Sequence, residues 1–249
     1  MDNVKAVILA AGESKRMKSG LTKLLHRLGR KALVEFPAGA CKECGIKDVI
    51  VVVGYQADKV ISVLGNSFTY IYQEKRLGTG DALKKALPLL KDFKGELLVL
   101  PGDAPFVTPS VLKNLIACHR KSKPAATILT ASIPDPSHYG RIIRNGYNQI
   151  KRIVEYKNAT GEELGIKEVN SGVYCFDTQA VISVIPELQP NPVTGEYYLT
   201  DAISLLNDKG YRVEAFFSQD PTVVLGVNTP EDFETAINIM RRKNKFLNG

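Results

Sequence analysis

Short apolar runs alternate with helical patterns through the first half of the chain, and this alternation restricts the fold more than any other feature. Continuous apolar strands separated by helices are typical of a parallel sheet that is covered on both faces. We therefore predict an α/β fold with a Rossmann-like sheet, mixed but mostly parallel, flanked by helices. The predicted strands are residues 5–10, 48–53, 69–72 and 96–100, and the predicted helices are residues 33–44, 57–64 and 79–90.

The pattern changes after Pro109, where predicted strands outnumber helices and their directions are expected to mix. The last helix is marked by Thr229-Pro230-Glu231, which suits a capping residue followed by proline in the first turn. The strands predicted here are residues 125–131, 141–144, 150–156 and 168–176, and the helices are residues 179–185, 199–207 and 230–244.

Composition limits the class of ligand. The 249 residues are 44% hydrophobic, enough for the core of one large α/β domain or of a domain with a smaller lobe. The net charge of +7 fits an anionic ligand, and a nucleotide is favoured over nucleic acid because the chain has no zinc finger or RNP-type motif. It lacks both the ~18-residue apolar stretch that crosses a bilayer and a signal-type N-terminus. We therefore expect no membrane partner and a cytoplasmic location.

The four cysteines are expected to be reduced. Cys41 and Cys44 have the spacing of half a zinc site, but Cys118 and Cys175 stand alone and supply no second pair. We interpret all four as mostly structural thiols, as is usual in reducing compartments.

A phosphate-binding loop is predicted directly after the first strand. Ala10, Ala11 and Gly12 are small enough to let backbone N–H groups approach an anion, and Arg16 and Lys23 can pair with phosphate oxygens. The sequence favours a nucleoside triphosphate here, although a cationic cluster can also form a solvated face. The cations between positions 15 and 31 are Lys15, Arg16, Lys18, Lys23, Arg27, Arg30 and Lys31.

Two oxygen donors are candidates for a Mg²⁺ site. Asp103 comes just after a buried strand, and we expect Asn228 to follow another strand. Mg²⁺ needs only one or two protein ligands when it also binds phosphate, whereas an aspartate at this position can instead cap a turn. Because ligands bind at the carboxyl ends of strands in such sheets, four loops should share one crevice. These loops are residues 11–23, 73–80, 101–105 and 226–229.

Polar groups in two further regions could recognise a base and a sugar. The Gln73 amide, with Gly78 and Thr79, could read uracil, but the flipped amide would serve cytosine, and the glycines could simply form a turn. In the second region, peptide, carboxylate and amide groups could bind the hydroxyls and the acetamido group of an amino sugar. The same groups could instead only stabilise a loop or form a surface ion pair. These groups belong to Gly140, Glu155 and Asn170.

The sequence contains neither a nucleophile elbow nor a His-Glu-x-x-His motif, and it lacks both common Gly-rich nucleotide fingerprints. A sugar 1-phosphate is already largely dianionic at neutral pH, with a second pKa of about 6. Attack on an α-phosphate therefore needs no general base, and positioning with charge neutralisation suffices.

A resemblance extends over nearly the whole chain. It is carried by Leu9-Ala10-Ala11-Gly12, Arg16-Met17, Lys23-Leu24-Leu25-His26, Gln73 with Leu77-Gly78-Thr79-Gly80, Gly102-Asp103, Tyr139-Gly140-Arg141-Ile142, Ile153-Val154-Glu155, Asn170-Ser171-Gly172, Gly195-Glu196-Tyr197-Tyr198-Leu199-Thr200-Asp201 and Gly226-Val227-Asn228. With these segments the chain resembles the pyrophosphorylase domain of bacterial bifunctional N-acetylglucosamine 1-phosphate uridyltransferases, in the nucleotide-diphospho-sugar transferase superfamily. The opening motif is shared with many nucleotidyltransferases, whereas the segments Tyr-Gly-Arg-Ile and Gly-Glu-Tyr-Tyr-Leu-Thr-Asp are much more specific to this family.

The resemblance implies transfer of UMP from UTP to N-acetylglucosamine 1-phosphate, with Mg²⁺ as cofactor. It implies four sets of site residues: Asp103 and Asn228 on the metal, Arg16 and Lys23 on the phosphates, Gln73 and Gly78 on the uracil, and Gly140, Glu155 and Asn170 on the amino sugar with Thr79 close by. A nucleotidyltransferase for another sugar phosphate or base, and a regulatory nucleotide-binding domain with weak catalysis, are the alternatives.

The implied organisation is one nucleotidyltransferase domain over residues 1–228, with a nucleotide half of about 1–108, a sugar half of about 109–228, and a C-terminal helix over 229–249. We expect no acetyltransferase β-helix, and a monomer or weak oligomer. Four features depart from the family pattern: Pro101, where relatives often carry Tyr; Glu13-Ser14-Lys15, where smaller residues are usual; Thr22; and Pro37, which should delay or kink its helix.

Overall fold

The computed structural model describes residues 2–247, with the side chains of Lys15 and residues 244–247 excepted, so the end of the predicted C-terminal helix at 248–249 lies outside the described residues. The strands, in chain order, are β1 (Val4–Ala10), β2 (Arg27–Leu28), β3 (Lys31–Ala32), β4 (Asp48–Val53), β5 (Thr69–Tyr72), β6 (Glu96–Pro101), β7 (Ala126–Ser132), β8 (Arg141–Arg144), β9 (Ile150–Val154), β10 (Glu168–Asp177) and β11 (Val213–Phe217). The α-helices are α1 (Glu35–Glu43), α2 (Ala57–Leu64), α3 (Thr79–Ala86), α4 (Pro109–Ser122), α5 (Gly161–Leu164), α6 (Thr178–Val184), α7 (Asp201–Asp208) and α8 (Pro230–Leu247).

One large sheet runs through the molecule in the order β11-β7-β10-β6-β1-β4-β5, with the β8–β9 hairpin attached to β10. Strands β6, β1, β4 and β5 are mutually parallel, and β11 is parallel to β7. Strand β10 runs antiparallel to both of its neighbours, β6 and β7. The predicted α/β fold with a mixed, mostly parallel sheet is confirmed.

Helices cover both faces of this sheet because successive residues of its buried strands point to opposite sides. Ala6 and Ile8 of β1 belong to one apolar cluster, which also contains residues of α1, α2 and α4. Val7 belongs to the other, together with residues of α3, α6 and α7. A third cluster, of Met17, Leu28, Leu33, Phe106, Val227 and Ala236, packs α8 against β2 and the neighbouring loops.

Several predicted boundaries were wrong, and proline explains two of them. Helix α1 begins at Glu35, two residues late, with Pro37 in its first turn, where the missing N–H costs least. Helix α3 ends at Ala86 instead of continuing to residue 90, because Pro88 lies in the following 3-10 turn, Leu87–Leu89. The predicted strand at 150–156 stops at Val154.

The region after Pro109 contains elements that the sequence reading missed. Helix α4 begins at Pro109, and the Oγ1 atom of its cap Thr108 accepts a hydrogen bond from the Val111 N–H at 3.3 Å. Strand β11 adds an edge to the sheet, and its residues are mostly half-buried. The hairpin β2–β3 and the short helix α5 were also not predicted.

The prediction that Asn228 follows a strand was wrong. The apolar residues before it form a 3-10 turn, Pro221–Val224, in which Asp220 accepts a hydrogen bond from the Thr222 N–H at 2.9 Å. Val223 and Val224 are buried in the first apolar cluster, which is why this segment reads as a buried strand from sequence.

All four cysteines are free thiols. Burial raises the pKa of the Cys41 thiol to about 12, with Cys44 acting in the same direction, so the thiol stays protonated at neutral pH. Within residues 2–247, no helix combines the length and apolar character that a membrane span requires.

Candidate active site

The loop after β1 meets the neighbouring strands at close range. Ala10 and Ala11 are buried, and a Cβ atom built on Gly54 would lie only 2.8 Å from the Ala11 carbonyl oxygen. Gly54 therefore allows the loop to pass over the end of β4. At Gly12, by contrast, an added Cβ meets nothing within 4 Å, so the backbone here borders open space that a ligand could occupy.

Lys23 joins this loop to two distant parts of the chain. Its Nζ atom donates hydrogen bonds to the Asp103 carboxylate and, at 2.7 Å, to the Asn228 side-chain oxygen. Arg16 Nη2 donates to the same Asn228 oxygen at 3.0 Å. The structure therefore brings together four residues that the sequence predicted for phosphate and metal binding. We call Arg16, Lys23, Asp103 and Asn228 the charged cluster.

Polar side chains fasten the loop that carries Lys23. Ser14, which has a positive φ of 64°, accepts a hydrogen bond from the Lys23 N–H at 3.0 Å. Gln56 accepts from the Thr22 N–H at 3.0 Å and donates to the Gly20 carbonyl at 2.7 Å. Ser14 and Thr22, which depart from the family pattern, thus belong to the framework of the loop.

The other members of the charged cluster are held by backbone contacts. The Gly102 N–H donates to the Leu9 carbonyl at 2.9 Å, which places Asp103 beside the end of β1. The Val227 N–H donates to the Asp103 carbonyl at 3.1 Å. Asp232 then accepts hydrogen bonds from the N–H groups of Asn228 and Thr229, both at 2.9 Å.

The charged cluster fits a hard divalent cation. Two oxygen atoms that could bind a metal, one from the Asp103 carboxylate and one from the Asn228 amide, both contact the Lys23 ammonium nitrogen. Mg²⁺ prefers oxygen ligands and commonly keeps only one or two from protein when phosphates supply others. Among residues 2–247, no group of three or more His, Cys, Asp or Glu forms a metal cage, so phosphate or water would complete the coordination.

The amide loop, which we define as residues 73–80, lies at the end of β5. Gln73 is buried, and its N–H donates to the Val53 carbonyl at 2.8 Å. The Gln73 Nε2 atom donates to the Gly78 carbonyl at 3.1 Å and to Asp81 Oδ2 at 2.7 Å. Glu13, in the loop after β1, lies 3.5 Å from Arg76 of the amide loop, which brings the two loops together.

Glycines let the amide loop pair with a segment from the other half of the chain. The Gly80 N–H donates to the Tyr197 carbonyl at 2.8 Å, and the Tyr197 N–H donates to Leu77 at 2.7 Å. Gly78 has a φ of 96°, and an added Cβ there would lie 2.6 Å from the Tyr197 oxygen. The Thr79 hydroxyl accepts from the Leu199 N–H at 3.0 Å, so Thr79 anchors this segment as well.

The predicted sugar residues also lie together, and we call Gly140, Glu155 and Asn170 the Glu155 surface. A Cβ built on Gly140 would lie 3.8 Å from both Glu155 Oε1 and Asn170 Cβ. The Asn170 N–H donates to the Gly140 carbonyl at 2.9 Å. The Glu155 carboxylate accepts a hydrogen bond from Thr200 at 3.0 Å, and Asn170 Nδ2 donates to the Tyr174 hydroxyl at 2.6 Å.

The Glu155 surface adjoins the charged cluster. Gly172, with a φ of 77°, lies in the irregular part of β10, and a Cβ there would be 3.5 Å from Pro101. Burial raises the pKa of the Tyr139 hydroxyl to about 12, and the Asp232 and Asp103 carboxylates act in the same direction. Tyr139 and Gly172 therefore connect the Glu155 surface to the loops of Asp103 and Asn228.

Burial raises the pKa of the Glu155 carboxyl above its usual range. The Thr200 hydrogen bond opposes this shift, whereas the negative charges of Asp201 and Glu196 add to it. An acceptor held in such surroundings gains from a hydroxyl or amide donor on a ligand.

Sequence reasoning missed the residues that support the site. Asp232 could have been found, because Thr229-Pro230-Glu231-Asp232 has the spacing of a capping box. Asp81 and Tyr174 carry no such signal, since each acts on a side chain that only the fold brings near. The same holds for Ser14 and Gln56.

Comparison with known proteins identifies the fold and the family. The family model of the MobA-like NTP transferase domain matches residues 6–164, which is more than half of the chain. A crystal structure from Bacillus anthracis, assigned as a glucose-1-phosphate thymidylyltransferase, superposes with a TM-score of 0.78 at 25% identity and covers 96% of this chain and 95% of its own. The family model and the structural neighbour identify an NTP transferase domain with a nucleotidyltransferase fold. The chain belongs to the MobA-like NTP transferase family.

Curated relatives are more similar in sequence. The bifunctional protein GlmU of Acetivibrio thermocellus is 43% identical over 98% of this chain. GlmU of Brevibacillus brevis is 39% identical, also over 98% of the chain. In both cases the chain spans about half the length of the relative, 53%. The resemblance found in the sequence is confirmed.

Proposed function

We propose that the chain transfers UMP from UTP to N-acetylglucosamine 1-phosphate, giving UDP-N-acetylglucosamine and pyrophosphate in a Mg²⁺-dependent reaction. The observation that carries the proposal is the position of Lys23, which contacts both Asp103 and Asn228. The Glu13–Arg76 contact joins the loop after β1 to the amide loop, and Gly172 beside Pro101 joins the strand of Asn170 to the loop of Asp103.

The sequence resemblance supports the choice of substrates. In the proposed arrangement, the backbone of Ala10, Ala11 and Gly12 approaches the triphosphate, and Gln73 with Gly78 reads the uracil. Gly140, Glu155 and Asn170 hold the amino sugar, and Thr79 lies near the junction of nucleotide and sugar. Residues 1–108 then form the nucleotide half and residues 109–228 the sugar half, with the reaction placed in the cytoplasm.

The proposed reaction is a direct displacement at phosphorus. An oxygen of the sugar phosphate attacks the α-phosphorus, and a new P–O bond forms while the bond to the oxygen bridging the α- and β-phosphorus atoms breaks. Pyrophosphate leaves with the electron pair of that bond. Because the attacking phosphate is already ionised, no proton has to be removed, and Arg16 and Lys23 act by position and charge.

Asp103 and Asn228 would hold Mg²⁺ in this scheme. When bound, the ion neutralises phosphate oxygens and favours departure of pyrophosphate. The Lys23 ammonium, which contacts both residues, would then turn towards phosphate oxygens.

The proposal is tested by measuring pyrophosphate release over a grid of nucleoside triphosphates and sugar 1-phosphates, with Mg²⁺ and with a chelator. Release confined to UTP with N-acetylglucosamine 1-phosphate, and abolished by the chelator, supports it. Release confined to another pair would contradict the choice of substrates. Binding of UTP without turnover of any sugar phosphate would favour the regulatory alternative.

A second measurement concerns the metal. Asp103→Ala should lower turnover more than it lowers nucleotide affinity, because Asp103 is assigned to the metal and not to the base or sugar. Equal losses in both quantities, or turnover equal to the unmodified chain, would remove that assignment.

A further inference from the structure

The side-chain amide of Gln73 is held in a single orientation. Its Nε2 atom has two hydrogens, and both have acceptors: Asp81 Oδ2 at 2.7 Å and the Gly78 carbonyl at 3.1 Å. The Gln73 side chain is buried, with the residue only 3% exposed. Within residues 2–247, Gln73 Oε1 makes no hydrogen bond and is not among the buried polar atoms without a partner. It is therefore left as an accessible acceptor.

Asp81 makes the opposite orientation of the amide unfavourable. An ionised carboxylate can only accept hydrogen bonds, so a flipped Gln73 would place its oxygen against Asp81 Oδ2 and against the Gly78 carbonyl. Each of these contacts would set two acceptors together. Asp81 is itself buried, at 7% exposure, and lies in the first turn of α3, where the helix dipole favours a negative charge.

We infer that Asp81 is a specificity-determining residue, which forces Gln73 to present an acceptor, and only an acceptor, to the base. The inference rests on the proposed function, in which Gln73 reads the base of the nucleotide. Asp81 acts through Gln73 and touches no substrate itself, so its role is positioning.

An acceptor at this place distinguishes the two pyrimidines. Uracil and thymine carry a donor at N3, which can pair with Gln73 Oε1, whereas N3 of cytosine is an acceptor at neutral pH. Pairing two acceptors loses the hydrogen bond and leaves both groups without their water. The orientation that Asp81 imposes therefore selects UTP and dTTP over CTP at the level of the base.

The experiment compares kcat/KM for UTP and for CTP, with Mg²⁺ and N-acetylglucosamine 1-phosphate, in the unmodified chain and in Asp81→Asn. Asparagine has nearly the same shape but can donate as well as accept, so the variant removes the penalty that Asp81 places on flipping the Gln73 amide and leaves only that of the Gly78 carbonyl. The ratio of UTP to CTP should fall about tenfold, the effect of one hydrogen bond. Asp58→Asn is the matched control, because Asp58 also lies in the first turn of a helix, α2, and it should leave the ratio unchanged.

Binding measurements distinguish failure of the inference on Asp81 from failure of the proposed function. Titration calorimetry of UTP and CTP without sugar phosphate should show the same fall in preference in Asp81→Asn. If the unmodified chain prefers UTP and Asp81→Asn keeps that preference, the inference is overturned and the proposed function stands. If the unmodified chain uses neither UTP nor dTTP, the proposed function fails, and the inference fails with it.

A test on the unmodified chain avoids any dependence on folding of the variant. UTP methylated at N3 lacks the donor, so its affinity should fall at least about tenfold relative to UTP. Equal affinity for the two nucleotides would overturn the inference.

A second variant, Asp81→Ser, also removes the carboxylate and has a smaller side chain than Asp81→Asn. It should show the same loss of preference for UTP over CTP.

Discussion

At the scale of single residues, Lys23 has an unusual set of partners. Its ammonium group contacts Asp103, which is 80 positions away, and Asn228, which is 205 positions away. The Lys23 side chain is 16% exposed and that of Asp103 is 11% exposed, so little water screens the pair. One ammonium group thus connects the first loop of the chain to two others.

Removing this charge should slow catalysis strongly. We expect Lys23→Ala to lower kcat by about 100-fold or more, as losing a preorganised charge at a phosphate typically does. Steady-state rates of pyrophosphate release would measure the effect. Lys94→Ala is the matched control, because Lys94 is exposed and lies just before β6, at the amino end of that strand and away from the charged cluster. Its rate should stay close to that of the unmodified chain. A small effect in Lys23→Ala would remove Lys23 from the catalytic group.

The half-buried carboxyl of Glu155 should make stability depend on pH. Its pKa is raised in the folded chain, mainly by burial, so ionisation opposes folding once the pH passes the ordinary value of about 4.3. Glu155→Gln should therefore gain stability relative to the unmodified chain as the pH rises from ~4 to ~7. Urea unfolding at both pH values measures this difference.

Glu163→Gln is the control for that experiment and should behave in the opposite way. A backbone hydrogen bond from Thr160 lowers the pKa of Glu163, so its ionised form favours the folded state. The variant should lose stability relative to the unmodified chain as the pH rises. The same trend in both variants would contradict the assigned environment of Glu155.

At the scale of elements, the first turn of α8 both caps the helix and holds the backbone of Asn228. Thr229 Oγ1 accepts from the Asp232 N–H at 3.1 Å, while Asp232 Oδ2 accepts from the N–H groups of Thr229 and Asn228. This capping box stabilises the helix, and the same carboxylate fixes the backbone of Asn228. Helix formation and the shape of the charged cluster are thereby coupled.

Asp232→Ala should affect both properties. Losing the cap should cost about 1 kcal/mol of stability, and the Mg²⁺ concentration needed for half-maximal activity should rise because Asn228 is less well fixed. Asp177→Ala is a suitable comparison, since Asp177 caps α6 by accepting from the Ala180 N–H at 2.8 Å. It should show a similar loss of stability with an unchanged requirement for Mg²⁺. An equal change in both variants would argue against a link to Asn228.

Local pattern predicted most elements of the sheet, and the exceptions have physical reasons. Helix α4 carried a signal that could have been used, Thr108 followed by Pro109. Strand β11 is an edge strand without a fully buried face, so it lacks the apolar run of β1 or β4. Val223 and Val224 are buried in a 3-10 turn, where apolar character alone does not distinguish a turn from a strand.

Sequence reasoning named candidate residues for the site but not the contacts between them. Residue type and position after a strand were enough to name Lys23 and Asp103. The partners of the Gln73 amide could not be named, because burial against Asp81 depends on how the amide loop turns into α3. A hydrogen bond between side chains eight positions apart leaves no periodic signal in the sequence.

At the scale of the whole molecule, the ends of the sheet differ in chemistry. The carboxyl ends of β1, β5 and β6 carry the candidate site. At the amino end of β7, His119 of α4 is 4% exposed and shares a hydrogen bond of 2.9 Å with the Thr127 hydroxyl. Burial lowers the pKa of His119, although the carboxylates of Glu96, Asp177 and Glu214 oppose the shift.

This histidine should contribute to the loss of stability in acid. With a folded pKa below the unfolded value of about 6.5, its contribution is complete above that value and is lost as the pH falls through the lowered one. His119→Gln keeps a polar side chain but cannot become charged, so its Tm should fall less than that of the unmodified chain between pH ~7.5 and ~5.5. His138→Asn, which removes an exposed imidazole, should follow the unmodified chain. Parallel falls in Tm for all three proteins would contradict the prediction.

The pairing of Gly80 and Leu77 with Tyr197 has a consequence for engineering. If residues 73–80 were replaced by the segment of a homologue to change the base that is used, the new backbone would have to pair with the unchanged Tyr197. A chimera that exchanges 73–80 and 195–199 as a matched pair should keep its expression yield, while one that exchanges either piece alone should not. The two stretches form a single module, although more than one hundred positions separate Gly80 from Tyr197.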